Sequence, residues 1–190
     1  MMHRRLTISV AFALVCIVIL AFVFGCTSGA KHNMMHSVDS EYEFLVEMIP
    51  HHQEAVDSAG ETAARTLRPE LRAFTQEIMS AQSIEIDAMQ AWLAEWYPGK
   101  SDMAAYKPMM RPTAGLSSDR ADQSFLEDMI MHHSMAVMMA DRIVKGNLTE
   151  RPELLQLADD IIRTQNAEIE RMETWLLEWY GIKIRSHMNH

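Results

Sequence analysis

Two histidine pairs hold the chemistry this sequence offers, His51-His52 in Met48-Ile49-Pro50-His51-His52-Gln53-Glu54-Ala55-Val56 and His132-His133 in Met129-Ile130-Met131-His132-His133-Ser134-Met135-Ala136-Val137. Neutral imidazole and thioether are ligands for transition metals, and together they favour copper, above all Cu(I). A single inward histidine is ordinarily a core imidazole hydrogen-bonded to a neighbour. A pair repeated 81 residues later, with Met48 and Met129 at the same offset, points instead to metal ligation. The second copy adds Met135 and Met139, three and seven positions after His132, where the first has Glu54 and Ser58. They extend the second site or pass Cu(I) along, with Met138 further round on the surface. Imidazole must be neutral to bind metal, so a reference pKa of about 6.5 predicts that affinity falls as pH drops toward 5.

The elements that position these residues are helices. At about 100° per residue, Phe44, Met48, Ala55 and Ala59 share one face, with His52 inside it and His51 at its edge; Phe125, Met129, His132, His133, Ala136 and Ala140 repeat the layout. A first helix is predicted over about 41–65, with a kink before His51 because Pro50 lacks an N–H. A second starts at Arg68-Pro69-Glu70, with Pro in the first turn, and stops at Pro98-Gly99. A third is expected over about 122–145, and a fourth after Arg151-Pro152-Glu153.

The second and fourth helices present apolar stripes interrupted at the same places. Leu71, Ile78, Met89, Leu93 and Trp96 surround Gln82 and Glu85, while Leu154, Ile161, Met172, Leu176 and Trp179 surround Gln165 and Glu168. A buried carboxylate is costly unless paired, hydrogen-bonded or metal-bound. Counting back from the turns brings His52 level with Gln82 and Met48 with Glu85, and likewise His133 with Gln165 and Met129 with Glu168. The two glutamates then either orient the histidines by hydrogen bonding, as outer partners of a metal site do, or join the metal themselves. Two antiparallel hairpins make an all-α four-helix bundle; the aperiodic connection over 98–121 is long enough for a crossover and compatible with a plain up–down order.

Ahead of the bundle, His3-Arg4-Arg5 and an apolar run from Leu6 to Phe24 read as an export signal over 1–25. Val23-Phe24-Gly25-Cys26 resembles a lipobox with Cys26 lipidated; an uncleaved membrane anchor is the alternative. With Cys16 lost in the signal and Cys26 lipidated, the domain has no thiol ligand, so an extracytoplasmic soft-metal site rests on Met and His. Residues 26–40 form a tether containing His32, Met34, Met35 and His36, and 182–190 a tail containing His187, Met188 and His190; both are weak candidate ligand clusters. The net charge of −9 argues against nucleic acid. No Gly-rich phosphate loop, Cys-x-x-Cys pair or Ser/His/Asp constellation is present.

The combination Met-Ile-x-His-His, Ala-Val and a closing Ala, then Gln-x-x-Glu-Ile-x-x-Met-x-x-Trp-Leu, occurs over 48–59 with 82–93 and again over 129–140 with 165–176. It resembles the bacterial domain-of-unknown-function family 305, over about residues 41–181, as one repeat at 41–97 and a second at 122–181. The resemblance implies a ferritin-like four-helix bundle, exported or membrane-anchored, with copper binding and copper resistance among its members. Ser58 departs from the Met common at that position, and Met139 keeps it.

The reading is therefore an extracytoplasmic, membrane-anchored protein that binds copper for sequestration, resistance or delivery, without catalysis. Its metal ligands are Met48, His51, His52, Met129, His132, His133, Met135 and Met139, with Gln82, Glu85, Gln165 and Glu168 behind them. Metal ions, the membrane, a copper-accepting protein and a second copy of the chain are the partners this reading admits. Two alternatives stay open: a carboxylate-bridged iron or manganese redox enzyme using Glu85 and Glu168, and a bundle whose polar layer only fixes helix register.

Overall fold

The computed structural model describes residues 38–100 and 106–184. The export signal, Cys26, the tether clusters and the histidines of the tail lie outside the described residues. Four helices follow one another: α1 (Glu41–Arg65), α2 (Pro69–Trp96), α3 (Ser118–Lys145) and α4 (Pro152–Tyr180). No helix among the described residues is long and apolar enough to cross a membrane.

Local sequence sets each boundary. Ser40 caps α1 by accepting a hydrogen bond from the Glu43 N–H, at 3.2 Å, and α1 then continues through Pro50 to Arg65. Pro69 and Pro152 open α2 and α4 at positions where a missing N–H is harmless. Gly181, in the left-handed region at φ 67°, closes α4, with N–H groups of Gly181 and Ile182 returning to Leu177 and Leu176. The start of α3 differs from expectation. It lies at Ser118 rather than near Asp122 because Ser117 serves as the N-cap, which shortens the connection and places Asp122 inside the helix, buried.

The two ends of the bundle are fastened by the same device, used reciprocally. At one end Thr149 donates to Glu41 at 2.6 Å, the Arg151 Nε donates to Glu41 at 3.2 Å, and its guanidinium lies 4.1 Å over Trp96. At the other, Thr66 and Arg68 both donate to Asp122 at 2.8 Å, with the guanidinium 4.6 Å over Trp179. The acid that begins each hairpin thus holds the turn of the other hairpin. Tyr97, at the end of α2, donates to Glu41, and Arg68 also pairs with Asp119, at the start of α3, at 2.6 Å. The end of α2 and the start of α3 therefore lie at opposite ends of the bundle. The residues between them join opposite ends, which decides between the two orders in favour of one long crossover.

Two apolar clusters fill the interior. One, toward Glu41, contains Phe44, Met48, Met89, Met139, Ile143 and Ile161; the other, toward Arg68, contains Phe74, Ile78, Phe125, Met129, Met172 and Leu176. Burying each such side chain contributes roughly 1.5–3 kcal/mol. The first cluster joins the start of α1 to the end of α3 and the second joins their opposite ends, so these two helices run antiparallel. The polar residues in mid-helix fall between the clusters.

Candidate metal centre

All four central histidines are buried, none more than 2% exposed. They meet because α1 packs against α3 as well as α2, and because Ala55, Ala59, Ala136 and Ala140, all fully buried, keep the inner faces of α1 and α3 slim. The His51 and His132 rings lie 3.6 Å apart between centroids, tilted by 35°. His52 and His133 point toward the second helix of their own hairpins. Their Nε2 atoms lie 2.8 Å from carboxylate oxygens of Glu85 and Glu168, respectively. An imidazole Nε2–H donated to a carboxylate leaves the lone pair of a neutral ring on Nδ1. The Nδ1 atoms of His52, His132 and His133 are buried without hydrogen-bond partners, as are the Oε1 atoms of Gln82 and Gln165.

The predicted sulfur ligands divide between the halves. Met48 and Met129 are fully buried, each one turn before its own histidine pair, but in different apolar clusters, one on either side of the histidine layer. Met139 joins Met48 in the first cluster, 3% exposed, so it is a core residue rather than part of an exposed stripe. Met135 is half-buried, and Met138 is 49% exposed, as expected. Gln82 and Gln165 are buried, while Glu85 and Glu168 keep a slight exposure. Among the described residues, no three His, Cys, Asp or Glu side chains stand grouped as a ready metal cluster.

Sequence reasoning missed Glu54 and Tyr106. Glu54 accepts hydrogen bonds from the Tyr106 hydroxyl and from the backbone N–H groups of Met109 and Met110, the latter two at 2.8 and 3.0 Å. The same carboxylate approaches the His132 Nε2 at 3.4 Å, a close contact rather than a good hydrogen bond. Tyr106 in turn stands edge-on to His51, 6.2 Å between centroids. The crossover is thereby tied down over the histidine layer. The available signal was Glu54 itself, three positions after His51 and on its side of the helix.

These contacts set the charge states. Burial pushes the Glu54 carboxyl up, but His132, Tyr106 and the Met110 and Met109 amides outweigh it and hold the group at about 2. Burial lowers His132 to about 4, against the pull of Glu54 and with that of His133. His132 is accordingly a neutral imidazole at and well below neutral pH.

Comparison with known proteins agrees with this fold. The solved protein CopM, in its Cu(I)-bound form, is 38% identical, with a TM-score of 0.65 over 74% of this chain and 97% of that one. Its silver-bound form gives 37% and 0.65, over 75% and 98%. A DUF305 protein from Streptomyces coelicolor is 28% identical, with a TM-score of 0.65 over 80% of this chain and all of that one. Uncharacterized protein L153 of Acanthamoeba polyphaga mimivirus is 47% identical over 57 residues, 30% of this chain, and the match spans only 36% of that protein. The family model described as "Domain of unknown function (DUF305)" matches residues 41–176 and 122–190. With its paired histidine layer, and with most of its length matched, the chain belongs to the DUF305 family.

Proposed function

We propose that this protein is an extracytoplasmic copper-binding protein, held at the membrane through Cys26 or an N-terminal helix, that sequesters or delivers copper without catalysis. The observation that carries the reading is the set of buried, unpartnered Nδ1 atoms on His52, His132 and His133. Leaving such an atom unsatisfied costs about 1–3 kcal/mol, which a cation accepting the lone pair offsets. Glu85 and Glu168 support it as the outer partners that orient and enrich imidazole ligands. Met48 and Met129, each one turn from its histidines, supply the soft donors that favour Cu(I). CopM, whose solved forms hold Cu(I), Cu(II) and silver, supports the metal. A DUF305 protein whose given name is that of a secreted protein supports the compartment.

The carboxylate-bridged iron or manganese enzyme fits less well. Each central glutamate is engaged by the histidine of its own hairpin, and a di-metal carboxylate site calls for four such acids. Competition titration with a Cu(I) chelator, beside elemental analysis of the purified protein, tests the proposal. His51→Ala with His52→Ala, and His132→Ala with His133→Ala, should each weaken Cu(I) binding by more than the roughly 100-fold that loss of an orienting partner costs, with circular dichroism confirming the fold. Unchanged affinity in both double variants, or stoichiometric iron in the native protein, rejects it.

A further inference from the structure

Glu54 and Met135 hold the same place in the two repeats, three positions after His51 and His132. The approximate two-fold that carries the Thr66–Asp122 bond onto Thr149–Glu41, and His52–Glu85 onto His133–Glu168, also carries Glu54 beside His132 onto Met135 beside His51. Glu54 is occupied by the crossover segment. Met135 is only half-buried, and Met131 and Met138, four positions before it and three after, are 63% and 49% exposed.

Residues at i, i+4 and i+7 share one helix face, with neighbouring Cβ atoms about 5–6 Å apart. Three flexible thioethers on such a face can turn their sulfurs toward a common ion. The equivalent positions of α1 are Pro50, Glu54 and Asp57, so this face exists on one hairpin only. Neutral sulfur donors take soft monovalent cations and discriminate against hard ones. We infer that Met131, Met135 and Met138 form a solvent-facing Cu(I) site and the port through which the ion reaches His51. This rests on the copper-binding reading above.

The test uses the full chain with carbon-13 in the methionine methyls, titrated with Ag(I) as a diamagnetic stand-in for Cu(I). Below one equivalent, the methyl signals of Met131, Met135 and Met138 shift together. In the Met131→Leu, Met135→Leu, Met138→Leu variant, which keeps apolar bulk, the histidine ring signals reach the same final shifts but several-fold more slowly. Histidine signals that respond while these methyls stay still, or a variant that loads at the native rate, overturn the port and leave the copper reading standing. Silence of both histidines and methyls overturns the two together.

Discussion

The two hairpins agree in their cores and part company at one rim. His52 and His133 make the same 2.8 Å contact to Glu85 and Glu168, Met48 and Met129 are equally buried, and Trp92–Trp96 and Trp175–Trp179 stack in the same way, at 5.2 and 5.0 Å. Two positions after each pair, however, α1 has an anionic carboxylate under a strap and α3 has a thioether near solvent. Two similar hairpins can therefore keep one histidine layer symmetric while giving its two rims different chemistry.

The largest effect expected from that difference is acid sensitivity centred on the Glu54 half. His132 has a folded-state pKa of about 4, below its ordinary 6.5, so the unfolded chain takes up the proton first. Its contribution is whole above pH 6.5 and is lost as pH falls toward 4, by on the order of 3 kcal/mol. Glu54, held at about 2 against an ordinary 4.5, adds a second loss as pH falls from 4.5 toward 2. Urea unfolding of the metal-free protein across this range should show a steep decline that His132→Gln flattens between pH 6.5 and 4. An unaltered profile would separate His132 from the effect. The same shift revises the expectation from the reference pKa, since His132 stays neutral at pH 5.

Where the hairpins agree, their variants should agree. Glu85→Gln and Glu168→Gln each remove an orienting carboxylate and should weaken Cu(I) binding by about 10–100-fold, and by similar factors in chelator competition. Strongly unequal losses would break the equivalence of the halves. The smallest effect is mechanical. Glu54→Gln weakens the hold on Tyr106, Met109 and Met110 and should cost about 1–2 kcal/mol, with faster amide exchange at Met109 and Met110. Met135→Leu should leave both nearly unchanged, and equal responses would show that the strap does not distinguish the rims.

Much of this was legible because the signals were periodic. Pro69, Pro152 and Pro98-Gly99 punctuate helices by local backbone rules, and the recurrence of Gln and Glu in apolar stripes announced a polar layer at a set height. Contacts made across the connection were not legible. Tyr106 lies in a stretch without a period, so nothing in the sequence aims it at Glu54, and a carboxylate at a helix rim reads as solvated until its partners are seen. The Ser117 cap was hidden by a run of small and polar residues that admits several helix starts. Thr66 and Asp122, 56 residues apart, are joined only by the tertiary fold.

The reciprocal fastening at the two ends has a consequence for assembly. Each hairpin takes part of its closure from the other: the turn after α1 is held by the acid of α3, and the turn after α3 by the acid of α1. A hairpin expressed alone would meet both requirements only by pairing with its own copy across an isologous two-fold interface.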